Sequence, residues 1–154
     1  MRSPAGFMRL LAGAVALALT LWPQLAPACS VVFPSEEEAV RRAEVIFAGV
    51  VVRLGPAVKE TPEDLFGYRE IEFSVERVWK GTMGGTARVR TGHDSCGLRV
   101  WPGEKWLILA AGQPLRADLV SGGALLRLSD GRRTEHTTAS IEKRLGKGTP
   151  PAVP

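Results

Sequence analysis

Residues 45–54 read VIFAGVVVRL. The run is apolar on both faces and rich in β-branched residues, so it reads as a strand buried on both sides rather than a half-exposed one. Gly49 interrupts it, and a glycine inside a strand marks a bend or a bulge. This run places the chain in a β fold and asks for neighbouring strands.

The neighbours follow in order. In residues 68–81, YREIEFSVERVWKG, Ile71, Phe73 and Val75 alternate with Glu70, Glu72, Ser74 and Glu76. Period two is the pattern of a half-buried strand. The phase slips at Arg77, after which Val78 and Trp79 are adjacent apolars, and a β-bulge there fits a strongly coiled strand. TARVRT is a third strand, WLILAAG a buried fourth and ALLRLS a fifth, separated by glycine-rich turns. Before the first strand, Ser35 followed by Glu38 is a capping-box pattern for a short helix ending near Glu44. Three acids at its start and Arg41 and Arg42 near its end suit the helix dipole. A second amphipathic helix is expected over Thr137 to Leu145, stopped by Gly146. The fold class is therefore mainly β, a five-stranded Greek-key barrel of the OB type with short flanking helices. A β-sandwich is the alternative.

The first 28 residues read as a secretory signal. Arg2 and Arg9 form a basic start, Leu10 to Trp22 is uncharged and apolar, and Ala26-Pro27-Ala28 supplies small residues for cleavage before Cys29. The apolar run is short of the roughly 20 residues a spanning helix needs, so no membrane anchor is expected. Acylation of Cys29 is a second reading, weakened by Ala26 where a lipoprotein signal has leucine, and by the unpaired Cys96 it would leave. The domains are then a signal over 1–28, one folded unit over 29–146 and a disordered tail over 147–154. The side-chain charge of the 154-residue chain is +4, and the signal carries two arginines and no acid, leaving +2. Basic residues scattered among acids at that balance are no footprint for nucleic acid. Localisation is expected to be periplasmic or extracellular, and the protein monomeric.

Few residues can carry chemistry. His93, Asp94, Ser95 and Cys96 stand together in GHDSCG, but a nucleophilic cysteine must be a free thiolate. In an exported chain with two cysteines, Cys96 is expected to be bridged to Cys29. That bridge closes a loop of about 68 residues, on the order of 4 kcal/mol in the chain-entropy model. Cys29, Cys96, His93 and His136 are zinc-ligand types without the close paired spacing of a zinc site. Trp79 and Trp106 are expected to pack in the core. The pairs Arg41-Arg42 and Arg132-Arg133 read as solvated charge. No cofactor is implied, and the chain is not read as an enzyme.

A chain starting Cys29-Ser30, then a short helix, AEVIFAGVV, FSVERVWKG, RVRTG before CG, and PGEKWLILA, resembles a bacterial member of the family of tissue inhibitors of metalloproteinases. The resemblance covers about residues 29 to 145. It implies a netrin-like OB barrel and inhibition by a wedge. In that family the N-terminal cysteine, here Cys29, chelates the catalytic zinc of a target metalloendopeptidase through its α-amine and carbonyl oxygen. The next side chain, Ser30, enters the specificity pocket. Val31, Ser95 and Gly97 would contact the protease, Ser95 and Gly97 from the loop bridged to the N-terminus through Cys96. A catalytic zinc keeps an open coordination position that such a terminus can fill, and a disulfide lowers the ordering cost of binding. The sequence departs from the family at Val31, where Cys-x-Cys has its second cysteine, and no later cysteine follows Cys96. The alternative is a non-inhibitory extracellular binding module of the same fold. A small secreted enzyme is a third, weaker reading.

Overall fold

A computed structural model describes residues 32–121, 123–132, 134 and 138–153. The element order is α1 (Glu36–Arg42), β1 (Val45–Leu54), β2 (Tyr68–Lys80), β3 (Thr86–Gly92), β4 (Lys105–Ala110), a 3-10 turn (Leu119–Ser121), β5 (Ala124–Arg127) and α2 (Thr138–Leu145). The five strands form one antiparallel sheet in the order β3-β2-β1-β4-β5. The doubly apolar run is thus the central strand.

Its two faces feed two separate cores. Phe47 and Val51 point into one with Ile71, Phe73, Val89 and Ile108. Phe47 and Phe73 meet edge to face with centroids 5.5 Å apart, the arrangement that aromatic quadrupoles favour. Ile46 and Ala48 point the other way, into a cluster with Leu107, Leu109 and Leu126 that the helices cover through Ala39, Ala43 and Ile141. Ile141 is fully buried, and burial of that side chain contributes about 2 kcal/mol.

Three slips interrupt the β1–β2 register. They lie between Ile46 and Phe47, between Ala48 and Gly49, and between Val51 and Arg53. The first two leave Trp79 and Glu76 unpaired on β2, so the irregularity expected at Arg77 is split to either side of it. Gly49 answers to close packing: a Cβ there would lie 2.8 Å from the Ser74 carbonyl oxygen.

Helix α1 is capped as its sequence indicates at one end only. The Glu38 N–H donates to Ser35 Oγ at 3.2 Å. The Glu38 carboxylate does not return the bond; it pairs with Arg41 and Arg42, whose hydrogen bonds hold it below the usual carboxylate range. At the other end Lys80 Nζ donates to the carbonyls of Val40 and Arg41, at 3.0 and 3.1 Å. A cation from β2 thus meets the negative end of the helix.

The tail is a correction. Residues 147–153 are not loose. Thr149 exchanges backbone bonds with Val78 at 2.7 and 2.8 Å, and the Ala152 N–H donates to Met83 O at 2.7 Å. Trp79 Nε1 donates to Gly146 O at 2.7 Å, and Arg77 to Lys147 O at 2.7 Å. Composition made the segment look unstructured, but β3 pairs with β2 only as far as Ser74, and the backbone edge left beyond it at Val78 provides partners for the segment.

Candidate functional site

The segment that carries Cys96 is a short loop between β3 and β4, and its own backbone builds it. Asp94 Oδ1 accepts from the N–H groups of Cys96 and Gly97, both at 3.0 Å, an Asx turn of the kind Asp readily makes. The Leu98 N–H donates to Thr91 Oγ1 at 2.7 Å, and Thr91 is itself buried. At Gly97 the backbones are so close that a Cβ would stand 1.8 Å from the Gly92 carbonyl oxygen. Only glycine fits there.

Three other segments converge on this loop. The His93 N–H donates to Gly67 O at 3.0 Å, tying in the long β1–β2 loop. The Leu119 N–H donates to Cys96 O at 3.0 Å, and Gly97 bridges Asp118. Asp118 Oδ1 in turn accepts from the N–H groups of Val120 and Ser121, at 2.8 and 3.0 Å. Pro34, early in the described chain, shares a groove with Asp118 and Val120. Glu60 clasps the same region, accepting from Arg90 at 3.2 Å and Arg116 at 3.0 Å. The Arg90 guanidinium lies 4.3 Å from the centre of the Tyr68 ring. The β1–β2 loop is held in shape by Asp64, which accepts from the Gly67 N–H at 2.8 Å. That bond holds the Asp64 carboxyl below its usual range.

The outer surface of these segments carries several exposed apolar side chains. Among the described residues, the exposed large apolar side chains are Val32, Phe33, Val52, Val58, Leu65, Phe66, Trp101, Leu119 and Val153. All but Val153 belong to the segments just described, to the chain entering from the N-terminus, or to the groove beside the Cys96 loop. Trp101 is 61 % exposed. Its backbone is fixed from below by the buried Glu104, whose Oε2 accepts from the Trp101 N–H and from Trp106 Nε1, both at 2.9 Å.

Only some of the sequence-derived site residues lie among the described ones. Cys29, Ser30, Val31 and His136 lie outside the described residues, as does the leader. Ser95 is exposed at the loop tip. Gly97 is buried, so it supports the loop from beneath rather than presenting surface. Cys96 is half-buried and is not a free thiol. His93 is exposed, and among the described residues no cluster of three metal-ligating side chains occurs. Trp79 and Trp106 are partly buried against the two cores. Sequence reading passed over Glu104, Asp118 and Asp64. The signal available for the two aspartates was the Asx-turn habit of Asp, with Gly67 and Ser121 each three residues on.

Compared with known proteins, the chain matches no family model and no curated sequence.

Proposed function

We propose that this protein is an exported inhibitor of zinc metalloendopeptidases, acting through an N-terminal wedge that begins at Cys29 and is stapled to Cys96. The observation that carries the reading is the concentration of exposed apolar side chains on the segments around Cys96. An apolar patch of this kind marks a protein-binding surface. The Cys96 loop beside these side chains is held by its own hydrogen bonds, as a surface that must meet a partner at low ordering cost should be. The entering chain is also well placed. Pro34 lies beside the segment that bonds Cys96, and the five residues back to Cys29 reach at most about 17 Å when extended. A closed barrel is part of the same proposal. The bridge between Arg90 and Arg116 is parallel, and Arg116 also bridges Ala111 at the end of β4. Those contacts link the β3 edge to the far side of the sheet, which supports closure.

In this reading the Cys29 amine and carbonyl oxygen occupy the open position of the protease zinc, and Ser30 enters the adjacent pocket. Ser95 and the apolar rim make the surrounding contacts. Extending the chain by one residue, so that it begins at Ala28, tests this. It converts the amine into an amide nitrogen with no lone pair to donate, and it should abolish inhibition across a panel of zinc metalloproteases while leaving the melting temperature unchanged. Ser30→Gly should weaken inhibition only about fourfold, the worth of one buried methylene-sized group. Intact mass before and after reduction reports the staple. If the Ala28-extended protein inhibits as well as the shorter one, the zinc wedge is wrong. The apolar rim then belongs to a non-inhibitory binding module.

A further inference from the structure

Beside the Cys96 loop, a groove of about 650 Å³ opens onto the core that holds Phe47 and Phe73. Its floor is apolar: Leu98 and Val100 are buried, and Leu54 is partly so; all three belong to or pack on the same cluster as Phe73. Its rim carries the exposed Trp101 and Val52. One wall is Arg69. On β2 the inward row is Val75, Phe73 and Ile71, all buried, and Arg69 is the next residue in that row. Its partner across the strand pair is Thr91, also buried. An arginine therefore occupies an inward position at the open end of the core.

Arg69 has an unpartnered donor there. Its Nε is buried without a hydrogen-bond partner. Among the described residues no carboxylate pairs with its guanidinium, whereas the neighbouring Arg53 is held by Glu72 at 2.9 Å. Asp94 also lines the groove, but its Oδ1 already accepts two N–H groups of the Cys96 loop. A buried donor left unmade is costly, and bonds from it to a charged acceptor are the stronger kind. A planar guanidinium presents its donors as a fork that fits a carboxylate. The volume lies within the range of small-ligand sites, which combine apolar walls with a few convergent polar groups.

The geometry points to a ligand site for a carboxylate carried on an apolar stem. The carboxylate bonds the Arg69 fork, and the stem lies along Leu54, Leu98 and Val100 under Trp101. Two sources offer this chemistry, a free amphiphilic acid and the carboxyl terminus of an apolar peptide. The site does not depend on the inhibitory wedge, since none of its groups lies in the N-terminal segment.

The test uses ¹⁵N-labelled protein and follows the Arg69 Nε–H resonance, identified by its loss in Arg69→Gln. The probes are octanoate and N-acetyl-Leu-Leu, each with its uncharged amide as control. At least one acid should move that resonance to saturation, with its amide binding about tenfold or more weakly. Which acid does so identifies the source. Arg69→Gln, followed through the Trp101 indole N–H, should bind acid and amide alike, and Trp101→Ala should weaken the acid several-fold. Should Arg69→Gln fail to fold in a thermal melt, the Arg69 Nε–H is assigned instead by through-bond correlation to its own backbone amide, and the acid-against-amide comparison on the unmutated protein decides alone. If neither acid moves the Arg69 resonance, or if the amides move it equally, the site is refuted.

Discussion

The two ends of β2 are finished in opposite ways. At its C-terminal end, Arg77, Val78 and Trp79 are covered by residues 146–152, and the polar backbone and side-chain groups there find partners. At its N-terminal end, Arg69 faces an open groove with an unmet donor, and the surrounding loops display apolar side chains. The strand is continuous, so local propensity does not separate them. What differs is whether a later segment returns to cover the end. One continuous strand can therefore be finished at one end and left open for binding at the other.

Several changes can break or sharpen this contrast. The largest effect is expected at Gly97. Gly97→Ala forces a methyl into the Gly92 carbonyl oxygen and should cost more than about 3 kcal/mol, the range of backbone strain and overpacking combined. Chemical denaturation measures that loss, and the inhibition proposed above should fall with it because the Cys96 loop is displaced. Tolerance of alanine with an unchanged melt would show that the open end is not rigid.

Trp79→Ala comes next and acts on the sealed end. It removes a partly buried indole and its bond to Gly146 O, for about 2–3 kcal/mol. The melting temperature should drop while inhibition per folded molecule stays the same. An inhibition change as large as that for Gly97→Ala would dissolve the distinction between the ends.

The smallest effect concerns pH. The folded Asp64 carboxyl lies below its ordinary value of 3.8, chiefly through the Gly67 N–H bond. Its contribution is therefore present above the ordinary value and is lost as pH falls through the lowered one. The amide resonances of Phe66 and Gly67 should hold steady from neutrality to about pH 4 and move only below it. Movement between pH 7 and 5 would mean that Asp64 does not hold the loop.

Much of the framework could be read locally. The two-sided apolarity of 45–54 announced a central strand, because a strand with two dry faces needs cover on both. Ser35 announced its helix through one side-chain oxygen within reach of Glu38. The alternation of Ile71, Phe73 and Val75 announced which face of β2 is inward. These features depend on residues a few positions apart, whose geometry is set by the helical turn or the strand pleat.

Other features were decided only when distant segments met. Glycine and proline in GTPPAVP suggested a loose end, and nothing within that segment says that β2 leaves a backbone edge for Thr149 to pair with. Extending the alternation back to Arg69 places a charge inward, but whether an acid will neutralise it depends on the fold around Thr91, Leu98 and Trp101. Glu104 gave no local signal and became the buried acceptor that holds the Trp101 backbone. Periodicity and capping are properties of neighbours along the chain. Pairing, closure and an unmatched donor are properties of neighbours in space, and only the tertiary structure chooses those.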